Sequence, residues 1–122
     1  MADVVRAALV QAEWTGDKQS MIDLHVELAR QAARDDARVV CFQELFSGPY
    51  FCQIQDPAYH EHAEPVPDGP TVELMREVAR DTGMVMVVPV YEREQEGLLY
   101  NTAAVIDADG TYLGAYDSLV AP

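Results

Sequence analysis

Lysine is nearly absent: one of the 122 residues, Lys18, against seven arginines. Any chemistry that needs an ammonium side chain therefore has a single candidate. Cysteine is scarce too. Cys41 and Cys52 alone exclude a disulfide framework and a four-thiolate zinc site. No apolar run reaches the roughly 18–20 residues of a membrane span. The N-terminus does not read as a signal peptide, because it runs directly into an alternating apolar segment. A glycine-rich phosphate loop, a dinucleotide fingerprint and a Gly-x-Ser-x-Gly elbow are all missing, as are repeats and low-complexity stretches. Positive charge is in deficit: 8 basic against 21 acidic residues give a net charge of −13. Such a surface repels nucleic acid and anionic lipid. These absences predict a cytoplasmic protein of a reducing compartment, with neither nucleic acid nor membrane as partner.

The composition that remains is that of a globular chain, 49% hydrophobic, in a length suited to one domain or part of one. Residues 4–10 are rich in β-branched side chains and read as a strand buried on both faces, in the centre of a sheet. Thr15, Gly16 and Asp17 break the chain and start a helix over 18–37. Met21, Leu24, Leu28 and Ala32 form its apolar stripe, with Ile22, Val26, Ala29 and Ala33 beside it. Residues 38–42 make a second short strand, so strand, helix and strand form a parallel βαβ unit. Residues 43–70 are a long connection holding five prolines, of a length that is usually functional or a lid. A second helix follows over 70–82, stopped by Gly83. Strands are expected at 84–90 and 100–107. The turn Asp107, Ala108, Asp109, Gly110 leads into a return strand starting at 111–113. The fold class is α/β: βαβαβ followed by an antiparallel meander.

Glu44 is the first candidate for chemistry. It stands two residues past the 38–42 strand, where ligands bind in open α/β sheets. Flanked by Phe42, Phe46, Tyr50 and Phe51, a carboxylate there is expected to be partly desolvated. Desolvation moves a carboxyl toward the range of a general base. The plain alternative is a loop acid that starts a turn. Cys41 and Cys52 are candidate nucleophiles, but neither has a cation beside it in sequence, and Cys41 reads as a small core residue. His60, Glu61, His62 and Glu64 resemble a metal-ligand run. Without regular structure or a third histidine nearby, they read better as a solvated acidic loop. His25 stands alone on the first helix.

Taken in order, these residues carry a resemblance. The 39–46 run ending Phe42-Gln43-Glu44-Leu45-Phe46 is similar to the start of the nitrilase, or carbon–nitrogen hydrolase, superfamily. So are Pro67 to Pro70, Val88 to Tyr91, Tyr100 to Asp107 and Gly110 to Gly114. With Tyr50 and Cys52, it most resembles the β-ureidopropionases and N-carbamoyl-amine amidases. The match runs from about residue 4 to residue 116. It implies the N-terminal part of an α-β-β-α sandwich with a Glu–Lys–Cys site and no metal or organic cofactor. In that site a glutamate is the general base, a lysine stabilises the oxyanion, and a cysteine forms a thioester. The implied substrate is a small amide, N-carbamoyl amine or nitrile, and family members homo-oligomerise.

Glu44 falls on the family's glutamate. The other two members do not carry over. Ser118 stands at the lysine position and Asp117 at the preceding arginine. The nucleophilic cysteine of the family lies on a later strand, so Cys41 and Cys52 do not occupy its place. Residues 1–122 thus resemble a carbon–nitrogen hydrolase domain incomplete at its C-terminus, as a frameshift, truncation or fragment would produce. Two expectations follow. The chain by itself is inactive, either as part of an enzyme or as a non-catalytic module of the same fold. And two helices cannot cover both faces of the sheet, which leaves one face apolar and open.

Overall fold

The computed structural model describes residues 3–54 and 56–120. Two helices, α1 (Lys18–Arg34) and α2 (Pro70–Thr82), pack on one face of a five-stranded sheet. The strands are β1 (Ala7–Val10), β2 (Val39–Phe42), β3 (Val85–Gln95), β4 (Leu98–Ile106) and β5 (Tyr112–Leu119), adjacent in that order. β1, β2 and β3 are parallel; β4 and β5 continue antiparallel. The expected order of parallel crossovers and then a meander is what forms.

Several boundaries differ from the sequence reading, each for a local reason. β1 is an edge strand, not a central one, and starts at Ala7 because its partner β2 starts at Val39. Val4 and Val5 are left exposed. Asp17 caps α1 by accepting the Ser20 amide at 2.8 Å. That helix ends at Arg34, three residues early, because Asp36 turns left-handed at φ 63° and Ala37 donates back to the Ala32 carbonyl. Its buried line runs through Met21, Ile22, His25 and Ala29, and leaves Leu24 and Leu28 half-buried at the flank. α2 matches its expected limits, with Gly83 left-handed at its end. β3 extends to Gln95 because a hairpin at Glu96–Gly97 pairs its charged end with β4. Gly97, at φ 78°, supplies the turn. The second hairpin falls where it was expected, with Gly110 donating to the Asp107 carbonyl. A Cβ on Gly110 would lie 2.8 Å from the Arg76 carbonyl, so only glycine lets this turn dock on α2.

Helix face and open face follow from pleat. Val40, Phe42, Met86, Val88, Val90, Ala104 and Ile106 form the core with Ile22, Ala29, Val72, Met75 and Val78. The alternate residues, including Leu9, Val39, Cys41, Val85, Val87, Ala103, Val105 and Tyr116, share the other face. Both helices are spent on the first, as their number predicted.

Residues 43–70 are a packed strap, not a free lid. Leu45, Phe51, Ala63, Tyr91 and Leu99 form a second cluster under it, with Tyr59 and Val120 against its side. Where β2 ends, Glu64 takes over as neighbour of β3: its amide donates to the Tyr91 carbonyl and its carbonyl accepts from the Arg93 amide. The Glu64 side chain is buried, not solvated, which corrects the reading of this loop. Its carboxylate meets the Lys18 ammonium at 2.6 Å, accepts the Thr71 amide at 2.8 Å and accepts the Thr71 hydroxyl. The N-cap of α2 is Gly69, which has no side chain to offer, so Glu64 caps that helix from a distance. Lys18 also donates to the His62 carbonyl at 2.9 Å.

His25 is fully buried, its ring against Phe42 and Phe46. Its Nδ1 donates to the Met21 carbonyl at 2.7 Å, and Nε2 has no partner among the described residues. Burial holds the imidazole below its ordinary pKa, against the opposing pull of that carbonyl.

Two stability measurements test these interactions. Glu64→Ala strands the partly buried Lys18 and frees the α2 amide, and should cost about 2–4 kcal/mol in urea unfolding. Lys18→Met leaves Glu64 its two bonds to Thr71 and should cost less; equal costs would refute the clamp. His25 binds its proton more readily unfolded than folded. Its contribution is therefore complete above the free-histidine value of about 6.5 and is lost as pH falls below it, by at most about 1.4 kcal/mol per pH unit. Relative to His25→Leu, the native chain should destabilise more steeply on acidification; parallel profiles would refute this.

Candidate functional site

Glu44 stands at the carboxyl end of β2, two residues beyond Phe42. Two local features set it there. The Gln43 side-chain amide extends the β1–β2 ladder by one pair: Nε2 donates to the Ala12 carbonyl at 2.9 Å, and Oε1 accepts the Ala12 amide. Leu45 then takes a left-handed conformation at φ 52°, uncommon for a residue with a Cβ. Burial of Leu45 under the strap holds it in that conformation. The chain thus turns sharply at Glu44 and presents its side chain at the sheet end.

The carboxylate is held from across the sheet. Asn101 on β4 donates from Nδ2 to Glu44 Oε1 at 2.5 Å. Ser118 on β5 lies directly opposite Asn101 in the register. Glu44, Asn101 and Ser118 therefore occupy one end of the open face, although 57 residues separate the first two in sequence. Asn101 was not singled out from the sequence. Its one signal is position: it is a polar residue at an open-face site of a strand otherwise lined there by Ala103 and Val105.

Glu44 is exposed, so the enclosed, desolvated pocket expected for it is not formed in this chain. Its electrostatic effect is visible on Tyr50, whose hydroxyl is held above its ordinary pKa, first by the Glu44 carboxylate and then by Cys52. Cys52 is exposed in the short turn Phe51–Gln53. Cys41 lies half-buried on the open face of β2, and so is not the core residue the sequence suggested. Tyr91 on β3, the register partner of Asn101, is raised chiefly by burial, and its hydroxyl finds no partner among the described residues.

The remaining candidates are dispersed. Lys18 is committed to Glu64 and His62. His60 and Glu61 are exposed, and His62 is half-buried near Trp14 and Tyr59. Among the described residues, no three His, Cys, Asp or Glu side chains are placed to share a metal ion. No helix among them is long and apolar enough to cross a membrane. Asp117 projects on the helix side of β5, opposite Thr102 and away from Glu44.

A sheet that opens parallel and continues antiparallel, with both helices on one face, places the chain in the α/β class. The family described as Carbon-nitrogen hydrolase matches residues 6–119. The chain belongs to that family. N-carbamoylputrescine amidase of Solanum lycopersicum is 38% identical over 113 residues, 93% of this chain and 37% of that protein. Omega-amidase NIT2 of Homo sapiens is 32% identical over 111 residues, 91% of this chain and 38% of that protein. The chain thus spans little more than a third of the length of these relatives. A carbon–nitrogen hydrolase from Helicobacter pylori G27 superposes with a TM-score of 0.82 over 97% of this chain and 40% of its own, at 24% identity, and so bears on the fold alone. An amidase from Nesterenkonia sp. superposes with a TM-score of 0.71 at 25% identity, covering 97% of this chain and 44% of its own.

The Glu44–Tyr50 pairing has a direct test. Glu44→Gln removes the negative charge that most raises Tyr50, so the Tyr50 ionisation should move to lower pH. Ultraviolet titration of tyrosinate, with Tyr50→Phe to assign the signal, reads the shift; an unmoved curve would refute the placement.

Proposed function

We propose that this chain supplies the general-base segment of a carbon–nitrogen hydrolase site. The substrate is a small amide or N-carbamoyl amine, with a nitrile as the third member of the class, and Glu44 is the base. The observation that carries the reading is the Glu44–Asn101 bond at 2.5 Å, with Ser118 across the ladder where the family resemblance puts a lysine. Three strands meet there, at the end of a parallel sheet where substrates bind. The relatives named above, an N-carbamoylputrescine amidase and an omega-amidase, support the substrate class. In a glutamate-to-glutamine mutant of a Nesterenkonia amidase, acrylamide has added to the active-site cysteine, which supports a thiol as the nucleophile of such a site.

In this scheme Glu44 accepts a proton from the attacking thiol. Asn101 fixes which carboxylate oxygen is free to do so, by occupying Oε1. Within these 122 residues Ser118 puts a neutral hydroxyl where an oxyanion-stabilising ammonium is needed. The single lysine cannot replace it while paired to Glu64. That observation favours a second reading, a non-catalytic module of the same fold.

Both readings expect a polypeptide of these residues to release no ammonia from N-carbamoyl amines or simple amides. One missing oxyanion donor alone costs about 10²–10³-fold in comparable sites. Turnover above background that disappears in both Glu44→Gln and Cys52→Ala would overturn this and reveal a Glu–Cys pair built inside the strap. If a separately supplied lysine- and cysteine-bearing segment restores turnover, and Glu44→Gln abolishes the restored rate, the base assignment stands. If Glu44→Gln leaves that rate unchanged, the assignment fails.

A further inference from the structure

We infer that His25 is a proton-sensitive support of the Glu44 turn: its neutral ring holds the chain on both sides of Glu44, and a proton on Nε2 releases that hold. His25 is a positioning residue here, acting through Phe42 and Phe46. Its meaning for chemistry rests on the reading of Glu44 as the base.

Three rings form one cluster. The His25 ring centroid lies 5.0 Å from that of Phe42 and 4.6 Å from that of Phe46, and the two phenyl rings are 4.9 Å apart. Phe42 ends β2 and Phe46 follows the turn, so the pair flanks Glu44 in the chain. Left-handed Leu45 doubles the backbone back between them. Both phenyl rings thereby lie in the helix-side core, while the Glu44 carboxylate leaves toward Asn101 on the open face. The Phe46 amide reaches the Pro89 carbonyl only at 3.4 Å, a long bond, so ring packing carries much of the hold on this side. The helix side is closed among the described residues: His25 and Phe46 are fully buried and Phe42 nearly so.

The ring is built to be neutral. Nδ1 donates to the Met21 carbonyl, which leaves the Nε2 lone pair as the place for a second proton, and Nε2 has no partner among the described residues. A proton there makes a cation and an N–H donor without an acceptor in apolar surroundings. The sheet turns Val40, Phe42, Val88 and Val90 to this side, and α2 turns Val72, Met75 and Val78. Charged groups on the same elements are engaged elsewhere or exposed. On α1, Asp23 and Glu27 are exposed, Arg30 leans to Asp81 at 3.6 Å, and Lys18 is paired with Glu64. On α2, Glu73, Glu77 and Arg80 are exposed and Arg76 donates to the Gly110 carbonyl. Glu44 is bound by Asn101. Burial holds the imidazole below its ordinary pKa, opposed only by the Met21 carbonyl. The support is therefore complete above the free-histidine value and is lost as pH falls below it. The phenyl rings attract a cation but replace little of its lost hydration. Opening the turn rehydrates the imidazolium at a smaller cost than unfolding the sheet.

The test is nuclear magnetic resonance of the isotope-labelled native chain over a series from about pH 7.5 to about pH 5. The His25 ring protons report its ionisation. The Asn101 side-chain amide reports the bond to Glu44. Hydrogen exchange of the Phe46 amide, corrected for the direct effect of pH, reports the turn. All three should follow one curve below about pH 6.5, with Phe46 exchange rising at least about tenfold while the β3 and β4 amides stay protected. His25→Phe keeps an aromatic ring and takes no proton, so both reporters should stay flat in it. Phe46→Leu loosens the cage and should move the His25 midpoint toward the free value. Should His25→Phe fail to fold, coincidence of the three curves in the native chain decides. Reporters that ignore the His25 midpoint, or that titrate unchanged in His25→Phe, would overturn the inference. So would a ring neutral throughout the series, or loss of the β3 and β4 amides at the same midpoint, which is global unfolding. None of these readouts needs turnover, so failure here is distinct from failure of Glu44 as the base, which the restored rate decides.

Discussion

Glu64 is the residue on which the arrangement of the chain depends. Its backbone takes the place that β2 vacates beside β3, and its carboxylate holds the first turns of both helices, through Lys18 and Thr71. Burying a carboxylate is costly unless every lone pair is used. Here an ammonium, an amide and a hydroxyl converge on it. The nearby glycine belongs to the same joint: a Cβ on Gly69 would sit 2.4 Å from the Pro65 carbonyl and 2.9 Å from the Glu64 Cβ. The strap is thereby fastened at its far end; at its start the Phe46 amide donates to the Pro89 carbonyl and Leu45 is buried, which gives Glu44 a defined position.

That fastening also explains the fate of the lysine. A half-buried ammonium paired to Glu64 is a structural cation, unavailable to an oxyanion without breaking the joint. Glu44 in turn is bound by a neutral amide, and the residue facing that amide is a serine. In the proposed reading Glu44 is thus held as a base with no ammonium bonded to it among the described residues. The open sheet face ends at this same spot.

Much of the architecture was legible in advance. Apolar periodicity and turn residues marked both helices, the parallel order and the second hairpin, because those signals are local: Asp17 before α1, Pro70 and Gly83 around α2, Gly110 in the turn. Strand identity was legible, but strand extent was not. β1 keeps Ala7–Val10, with one further bond from the Arg38 amide to the Arg6 carbonyl, and β3 gained Tyr91 to Gln95 from pairing that its charged sequence does not advertise. His25 looked isolated on its helix because one-dimensional spacing does not show that Phe42 and Phe46 close around it.

By itself the sequence determined the family, the α/β class and Glu44 as the candidate base, since ordered motifs and local propensities survive without coordinates. It also determined the shortfall of covering helices, which is a matter of counting. Only the tertiary structure decided which partners the polar groups take. Asn101 reaches Glu44 across 57 residues, and Lys18 reaches Glu64 across 46, through strand register and strap packing. The same register put Ser118 beside Asn101 and turned Asp117 away. It also left Glu44 exposed instead of enclosed. Solvent access and long-range hydrogen bonding depend on which surfaces meet, and no local stretch of sequence carries that information.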